Sequence, residues 1–299
     1  MLIPIYLKNS CLLCLCCFLQ QSAFSQDDKD KPAYTLFDNT GKQISYGELI
    51  KRLSGYDVIF LGELHNCPIT HWLEFEITRS IYNIHKDQLM LGAEMFESDN
   101  QLIFDEYMQQ KISYDRFEAE ARLWDNYRTD YYPVVFFAKE HHIPFIATNI
   151  PRRYANIVKN KGFEALDSLS EEAKRYIAPL PIDFEYDEAQ SAAAFSMMNM
   201  MGGRRAGDNR KLAQAQAIKD ATMGWFIARN IKNKFLHING SYHSNRQGGI
   251  IPYLLRYRPN TSIVTVTSVR QESIRKLDDD HKGLADFYIC VPEDMVNSY

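Results

Sequence analysis

Two apolar runs that each end in Gly-x-x-His constrain the fold of this chain most strongly. The runs are VIFLGELH at residues 58–65 and FLHINGSYH at 235–243. Two more short apolar runs end in polar residues, LMLGAE at 89–94 and IPFIATN at 143–149. Short apolar runs of this kind are typical of buried strands. Because ligands bind at the carboxyl ends of the strands in an open α/β sheet, the four endings predict one polar site.

The spacing of these runs predicts an α/β fold. The strands are apolar on both faces, and helical segments separate most of them, which is typical of a largely parallel central sheet with helices on both faces. Residues 99–142 are rich in aromatic side chains and too long for a simple crossover, so we expect an added helical cap over the strand ends. We expect a single domain over residues 26–299, with helical insertions at about 99–142 and 163–210.

The first 25 residues form a separate segment. Lys8 precedes an apolar run at 11–19, and Ala23-Phe24-Ser25 has the small-x-small pattern of a cleavage site. This order predicts a signal peptide at residues 1–25, with export to the periplasm or cell surface. The alternative of a membrane anchor is disfavoured because the run is too short to span a bilayer.

The cysteine context does not support a lipid anchor. A lipid-acceptor cysteine at the end of the run would need a small residue before it, and Leu13, Leu15 and Cys16 stand there instead. Removal of the signal peptide would leave Cys67 and Cys290, which are too few for a disulfide framework. The chain of 299 residues has a net charge of −4 and no basic block, which argues against nucleic acid as a partner.

The strand ends carry side chains that bind divalent metals or transfer protons. Glu63, His65, Glu94 and His243 are the candidates for both roles, since imidazole and carboxylate suit zinc and related ions. For any one of them, a capping or structural role is the alternative. Glu97 can cap the following helix and His237 can be a hydrogen-bonded core histidine, while Cys67 fits a small buried residue.

The chain has 18 tyrosines and 17 phenylalanines. A tyrosine phenolate holds ferric haem in some proteins, and flat aromatic walls suit a porphyrin. The alternative is that these side chains pack a core. Arg204 and Arg205 lie in a glycine-rich stretch, where they would meet anionic groups such as propionates or belong to a solvated loop.

Several motifs together resemble a known family. VIFLGELH, LGAEMFE, the stretch from Trp124 to Tyr132 before Pro133, IPFIATNIPRRY, QAIKDATMGWFIARNI and HINGSYHS resemble, in this order, the ChaN-like haem-binding lipoproteins. These belong to a superfamily with the Tiki proteases and erythromycin-esterase-like proteins. The resemblance covers about residues 56–266.

The resemblance implies a surface protein linked to iron acquisition, in which two monomers enclose two stacked haems. It implies one tyrosine ligand on each iron, propionates met by the opposite monomer, and an outer-membrane haem receptor as a further partner. Tyr132, directly before Pro133, is the first choice for the ligand, with Tyr131 and Tyr127 behind it. The resemblance also implies that Glu63, His65, Glu94 and His243 match the polar cluster of the enzymatic branches.

Two hypotheses from different classes follow. In the first, the protein binds haem between the helical cap and the strand ends. In the second, it is a metal-dependent hydrolase of peptides or esters, with Glu63 or Glu94 as general base and with His65 and His243 holding a divalent metal or stabilising an oxyanion. The aromatic cap and the branch of the family favour the first hypothesis.

Overall fold

A seven-stranded sheet organises the residues that the computed structural model describes, which are 31–186 and 209–299. The strands, in chain order, are β1 Thr35–Asp38, β2 Val58–Glu63, β3 Leu89–Glu97, β4 Phe145–Asn149, β5 Lys234–Gly240, β6 Ile263–Gln271 and β7 Phe287–Pro292. Their order across the sheet is β1-β7-β6-β2-β5-β3-β4. Strands β2 to β7 pair in parallel, and β1 pairs antiparallel with β7. The prediction of an α/β fold with a largely parallel sheet is therefore confirmed.

Helices connect most of the parallel strands. In chain order the described α-helices are α1 Tyr46–Leu53, α2 Pro68–His85, α3 Gln101–Met108, α4 Tyr114–Glu120, α5 Tyr132–Glu140, α6 Arg152–Lys161, α7 Glu171–Lys174, α8 Asn209–Asn230 and α9 Ile250–Tyr257. None of these helices combines the length and hydrophobicity that a bilayer span requires. The predicted signal peptide lies outside the described residues, as do residues 187–208 of the insertion expected at about 163–210, which include Arg204 and Arg205.

The sheet is covered on both faces because alternate side chains of its central strand point to opposite sides. Ile59 and Leu61 of β2 belong to a core cluster that includes side chains of α2 and α5. Val58 and Phe60 belong to a second cluster, which includes side chains of α8 and α9. This placement explains why β2 is apolar at every position from Val58 to Leu61 instead of alternating with polar residues.

The cap consists of α3, α4, a π-helical turn at Tyr127–Tyr131, and α5. Aromatic rings fill it: Phe104 lies 5.4 Å from Phe117 and 5.1 Å from Phe145, measured between ring centroids. The expected helical region at 99–142 therefore breaks into short helices around an aromatic core. The burial of these rings accounts for much of the aromatic content of this segment.

Two local expectations were wrong. The sequence pattern predicts one helix over 163–176, but the structure has a 3-10 turn at Phe163–Leu166 followed by the short α7. The sequence pattern also predicts that Trp72 lies on the buried face of α2, yet Trp72 is 48% exposed. The buried side of α2 carries His71 and Glu74 among its apolar residues, so a polar interaction and not hydrophobicity alone sets the orientation of this helix.

The register of the sheet determines what meets at its carboxyl edge. Glu63, the last residue of β2, pairs with Gly240, the last residue of β5. On the other side of β5, Ala93 pairs with Ile238, so β3 continues beyond this point and delivers Glu94 to the same edge. After β2 the chain forms β3 and β4 on one side of that strand, and after β5 it forms β6 and β7 on the other side. The direction in which strands are added to the sheet therefore reverses beside this edge.

We predict that Gly224→Ala destabilises the protein although alanine favours helices. A Cβ at Gly224 of α8 would lie 2.9 Å from the backbone nitrogen of Leu254 and 3.1 Å from the carbonyl oxygen of Ile250, both in α9. Because backbone atoms of a packed helix cannot move aside, we expect a loss of about 1–3 kcal/mol in the free energy of unfolding, measured by urea denaturation.

Gly47→Ala is the matched control, since Gly47 lies exposed in α1 and no atom lies within 4 Å of the place that an alanine methyl group would take. It should gain about 0.5 kcal/mol from helix propensity. A Gly224→Ala variant as stable as Gly47→Ala would show that α8 and α9 are not held at this close approach.

Candidate functional site

Four residues proposed from the strand ends lie together at the carboxyl edge. Glu63 ends β2, His65 follows it, and Glu94 lies in β3. His243 belongs to the 3-10 turn that directly follows β5. Backbone geometry holds this arrangement, because the N–H of Gly240 donates a 2.8 Å hydrogen bond to Oε2 of Glu94.

His65 is oriented by a carboxylate on one side and a glycine on the other. Its Nδ1 lies 2.5 Å from Oε1 of Glu63. A methyl group at Gly240 would lie 2.8 Å from Nε2 of His65, so the glycine allows the imidazole ring to lie against the end of β5. The side chain of His65 is 29% exposed. Burial opposes the charged form, but the hydrogen bond to Glu63 and the charge of Glu94 outweigh it and raise the pKa of His65.

His243 is enclosed between two carboxylates. Its Nδ1 lies 2.5 Å from Oδ1 of Asp220 in α8, and its Nε2 lies 3.2 Å from Oε1 of Glu94. Burial disfavours the imidazolium, but the charges of Glu94 and Asp220 outweigh it and raise the pKa of His243 to about 10. His243 is therefore a buried cation at neutral pH, and both of its N–H groups are donated to carboxylates.

Glu94 is held in its ionised form. Burial alone would raise its pKa, but the charge and hydrogen bond of His243, together with the charge of His65, hold the pKa of Glu94 well below its usual range. A carboxylate with such a low pKa is a weak base. The arrangement therefore disfavours Glu94 as the general base of a hydrolase.

Glu63 has further partners in addition to His65. The Tyr131 hydroxyl donates a 2.7 Å hydrogen bond to the same oxygen, Oε1, that His65 contacts. The other oxygen, Oε2, lies 3.6 Å from Nδ1 of His71, which in turn lies 3.3 Å from Oε2 of Glu74. Glu63, His71 and Glu74 are all buried, and one ligand atom of each lies within 4.8 Å of the others.

His71 is fixed by partners on its second ring nitrogen. Its Nε2 lies 3.2 Å from the carbonyl oxygen of His65 and 3.3 Å from Oδ2 of Asp130. Burial disfavours the charged ring, but the hydrogen bond and charge of Glu74, with the charges of Glu63 and Asp130, raise the pKa of His71 to about 9. Burial and the charge of Glu63 raise the pKa of Glu74 well above its ordinary value.

Sequence reasoning missed His71, Glu74, Asp130 and Asp220. A signal for the first two was present, since His-x-x-Glu places both side chains on one face of a helix. Asp220 lies 23 residues before His243 and Asp130 lies 59 residues after His71. The sequence carries no local signal for contacts over such separations.

The three candidate tyrosines of the cap differ in accessibility. Tyr131 is buried and donates to Glu63. Tyr127 is buried, and its hydroxyl has no hydrogen-bond partner within the described residues. Burial raises the pKa of both phenols. Tyr132 is half-buried, with its ring 5.0 Å from that of Tyr114 and 5.6 Å from that of Phe136.

The surroundings of His237 and Cys67 decide between the roles that the sequence left open for these two residues. His237 is fully buried, with Nε2 2.8 Å from Oγ1 of Thr148 and Nδ1 3.0 Å from Oδ1 of Asn239, and burial lowers its pKa to about 4. The interpretation of His237 as a hydrogen-bonded core histidine is confirmed, as is the burial of Cys67.

The expectation that Glu97 caps the following helix was wrong. Its side chain makes no capping hydrogen bond and instead accepts one from Nε of Arg122 at 2.8 Å.

Comparison with known proteins identifies the family. The family model described as haem-binding uptake, Tiki superfamily, ChaN matches residues 49–254. The chain belongs to this family. The expected resemblance is confirmed, and the match includes both strand-end motifs and the whole aromatic cap. No curated protein sequence matches the chain.

The structure of the chain is similar to three solved structures to different degrees, and the first of them shares its fold. A structure of cofacial haem binding to ChaN of Campylobacter jejuni has a TM-score of 0.66 at 19% identity, and the match covers 88% of this chain and 96% of that one. A mutant of the erythromycin esterase EreC in its open conformation matches with a TM-score of 0.45 at 12% identity, over 86% of this chain and 83% of that one. The type III effector HopBA1 matches with a TM-score of 0.44 at 12% identity, over 82% and 90% of the two chains.

We predict that Asp220→Asn lowers the pKa of His243. Asparagine keeps the shape of the side chain and removes one of the two charges that favour the imidazolium. In an NMR titration of the histidine ring signals, His243 of the wild type should titrate at about pH 10 and that of the variant at lower pH. The signal of His237, which is neutral at pH 7, serves as an internal control.

The raised pKa of His243 also makes the free energy of unfolding depend on pH. Because the pKa of His243 is raised in the folded state, its contribution is fully present below the unfolded value of about 6.5 and is lost as the pH rises through about 10. The alkaline decline in the free energy of unfolding should therefore be smaller in Asp220→Asn. A wild-type His243 signal that titrates near pH 6.5 would contradict the proposed charge pairing.

Proposed function

We propose that this protein binds haem at the cell envelope and serves iron acquisition, with a tyrosine phenolate of the helical cap as the axial ligand of ferric iron. Membership of a haem-binding uptake family is the observation that carries this proposal. The fold shared with ChaN of Campylobacter jejuni, whose structure shows cofacial haem binding, is consistent with it. The signal-peptide pattern at residues 1–25 supports export.

Tyr132 is the tyrosine that best fits the ligand role. Of the three cap candidates, Tyr127 and Tyr131 are enclosed, and Tyr131 already donates its hydroxyl to Glu63. Ligation by either would require rings of the packed cap to move. Tyr132 is half-buried beside Phe136, which is 43% exposed. A phenol next to an exposed aromatic surface suits a flat apolar cofactor whose iron prefers an anionic oxygen ligand.

Basic groups flank this surface. The ring of Tyr114 contacts that of Tyr132, and the Tyr114 hydroxyl donates a hydrogen bond to Glu118. Glu118 also forms an ion pair with Arg128. Arg128 has a side chain that is 71% exposed, so its guanidinium can turn toward a propionate. We infer that a second copy of the chain covers the exposed haem face, which gives a homodimer, and that Arg204 and Arg205 supply further contacts to propionates.

We predict that Tyr132→Phe weakens haem binding by about tenfold or more, because phenylalanine keeps the ring and removes the ligand oxygen. The measurement is a haemin titration of the chain from Gln26 onward, followed by visible absorbance, with sedimentation of the same samples to detect the dimer. The wild type should saturate at one haem per chain with a phenolate-to-iron charge-transfer band that the variant lacks.

Tyr56→Phe is the matched control for the haem titration. Tyr56 is 38% exposed and lies before β2, at the opposite end of this strand from Glu63. Its substitution should leave the haem spectrum unchanged. A spectrum that survives Tyr132→Phe and is lost in Tyr131→Phe or Tyr127→Phe would assign the ligand to an enclosed tyrosine and overturn the role of Tyr132.

The geometry of His65 favours hydrolysis as a second candidate function. This side chain is partly exposed, and the buried carboxylate of Glu63 orients its Nδ1. A histidine oriented by a carboxylate is a suitable general base, and it fits that role better than the strongly ionised Glu94. In this alternative the substrate is an ester or peptide, and the buried cation His243 adds positive charge behind the site.

For this second candidate, we predict that His65→Gln lowers the turnover of chromogenic esters or peptides by about a hundredfold, the usual range for a general base. His141→Gln is the control, since His141 is exposed and packs against Phe137 at the C-terminal end of α5. A wild-type protein without turnover, both before and after addition of divalent metal, would exclude the hydrolase function.

A further inference from the structure

We propose that Glu63, His71 and Glu74 form a binding site for a divalent first-row transition-metal ion. This site differs from the set at the strand ends, because it uses Oε2 of Glu63, whereas His65 contacts Oε1, and because it includes neither Glu94 nor His243. The proposal does not rest on haem binding. The bound ion would join the end of β2 to the start of α2.

The two free carboxylate oxygens carry the proposal. Glu63 and Glu74 are 2% and 1% exposed. Oε2 of Glu63 and Oε1 of Glu74 are buried and have no hydrogen-bond partner among residues 31–186 and 209–299. Buried oxygens of this kind are costly when both carboxylates are ionised, and a bound metal ion would stabilise both.

His71 directs its Nδ1 toward the same two carboxylates. The carbonyl of His65 and Oδ2 of Asp130 are acceptors and lie beside Nε2, which assigns the proton to this nitrogen. In the metal-free protein Nδ1 is hydrogen-bonded to Glu74, and it would become a ligand when an ion displaces this proton to solvent. A carboxylate on the far nitrogen of a metal-binding histidine is a common arrangement that fixes the ring and raises its basicity. Asp130 is itself held by Asn126 at 2.7 Å and by Ser298 at 2.8 Å.

The spacing of the ligand atoms suits a small ion. Nδ1 of His71 lies 3.3 Å from Oε2 of Glu74 and 3.6 Å from Oε2 of Glu63. With metal–ligand distances of about 2.0–2.2 Å, adjacent ligands around one ion are separated by about 3–3.5 Å. One imidazole and two carboxylates favour manganese, iron or zinc over calcium or magnesium, which prefer oxygen ligands alone.

The chain provides these ligands from one continuous segment. Glu63 ends β2, and His71 and Glu74 are three residues apart on the buried face of α2. This i, i+3 spacing places both side chains on one side of the helix. The requirement for an ion also explains why α2 turns a histidine and a glutamate inward while Trp72 remains exposed.

The test is a titration of the full chain, freed of metal with a chelator, with Co²⁺ followed by visible absorbance and with Zn²⁺ followed by calorimetry. We expect one ion per chain, and a Kd that rises about tenfold or more in Glu74→Gln and in His71→Asn. Glu76→Gln is the matched control, because Glu76 lies on the same helix and pairs with Arg79 outside the cluster. It should bind as the wild type does.

Thermal unfolding separates loss of the ligand from loss of the fold. Glu74→Gln keeps the volume of the side chain, so the metal-free variant should keep the fold of the wild type, checked by circular dichroism, although it loses a partner of His71. Zn²⁺ should raise the Tm of the wild type and leave that of Glu74→Gln unchanged. Absence of stoichiometric binding would overturn the proposal, as would affinity that survives Glu74→Gln and disappears in His65→Ala, which would place the ion at the strand ends.

Discussion

Five carboxylates are buried at one edge of the sheet, and the rest of the structure has to compensate for their charge. They belong to Glu63, Glu74, Glu94, Asp130 and Asp220, and each is less than a tenth exposed. Isolated charges in such surroundings would prevent folding. Three histidines, His65, His71 and His243, lie among them and bring β2, α2, α8 and the turn after β5 into fixed contact. The polar edge is therefore part of what holds the surrounding elements in register.

Much of the fold could be predicted because the core strands are short, apolar on both faces and separated by helices. Ser45, with Glu48 three residues later, also predicts the N-terminal cap of α1, where the Ser45 side chain accepts the N–H of Glu48. Such features depend on neighbours in the chain. The positions of Glu63, His65, Glu94 and His243 at one edge follow from the same rule of parallel strands.

The rest could not be predicted because it depends on contacts between distant segments. The hydrophobic pattern of α2 suggested that Trp72 faces the core, but the attraction between His71 and the buried carboxylates turns the helix differently. Asp220 and Asp130 reach their histidines only through the tertiary fold. Tyr127, Tyr131 and Tyr132 are close in sequence, and only their packing in the cap distinguishes two enclosed phenols from a half-exposed one.

The central claim is that a phenolate, and not an imidazole, holds the haem iron. His65 is the partly exposed histidine of the polar edge, and the carboxylate of Glu63 already occupies its Nδ1. Resonance Raman spectroscopy of the ferric haem complex, with the chain labelled with ring-deuterated tyrosine, tests this claim most directly. The account predicts high-spin iron with phenolate vibrations that shift on deuteration. A low-spin spectrum of imidazole type, unaffected by the label, would contradict it.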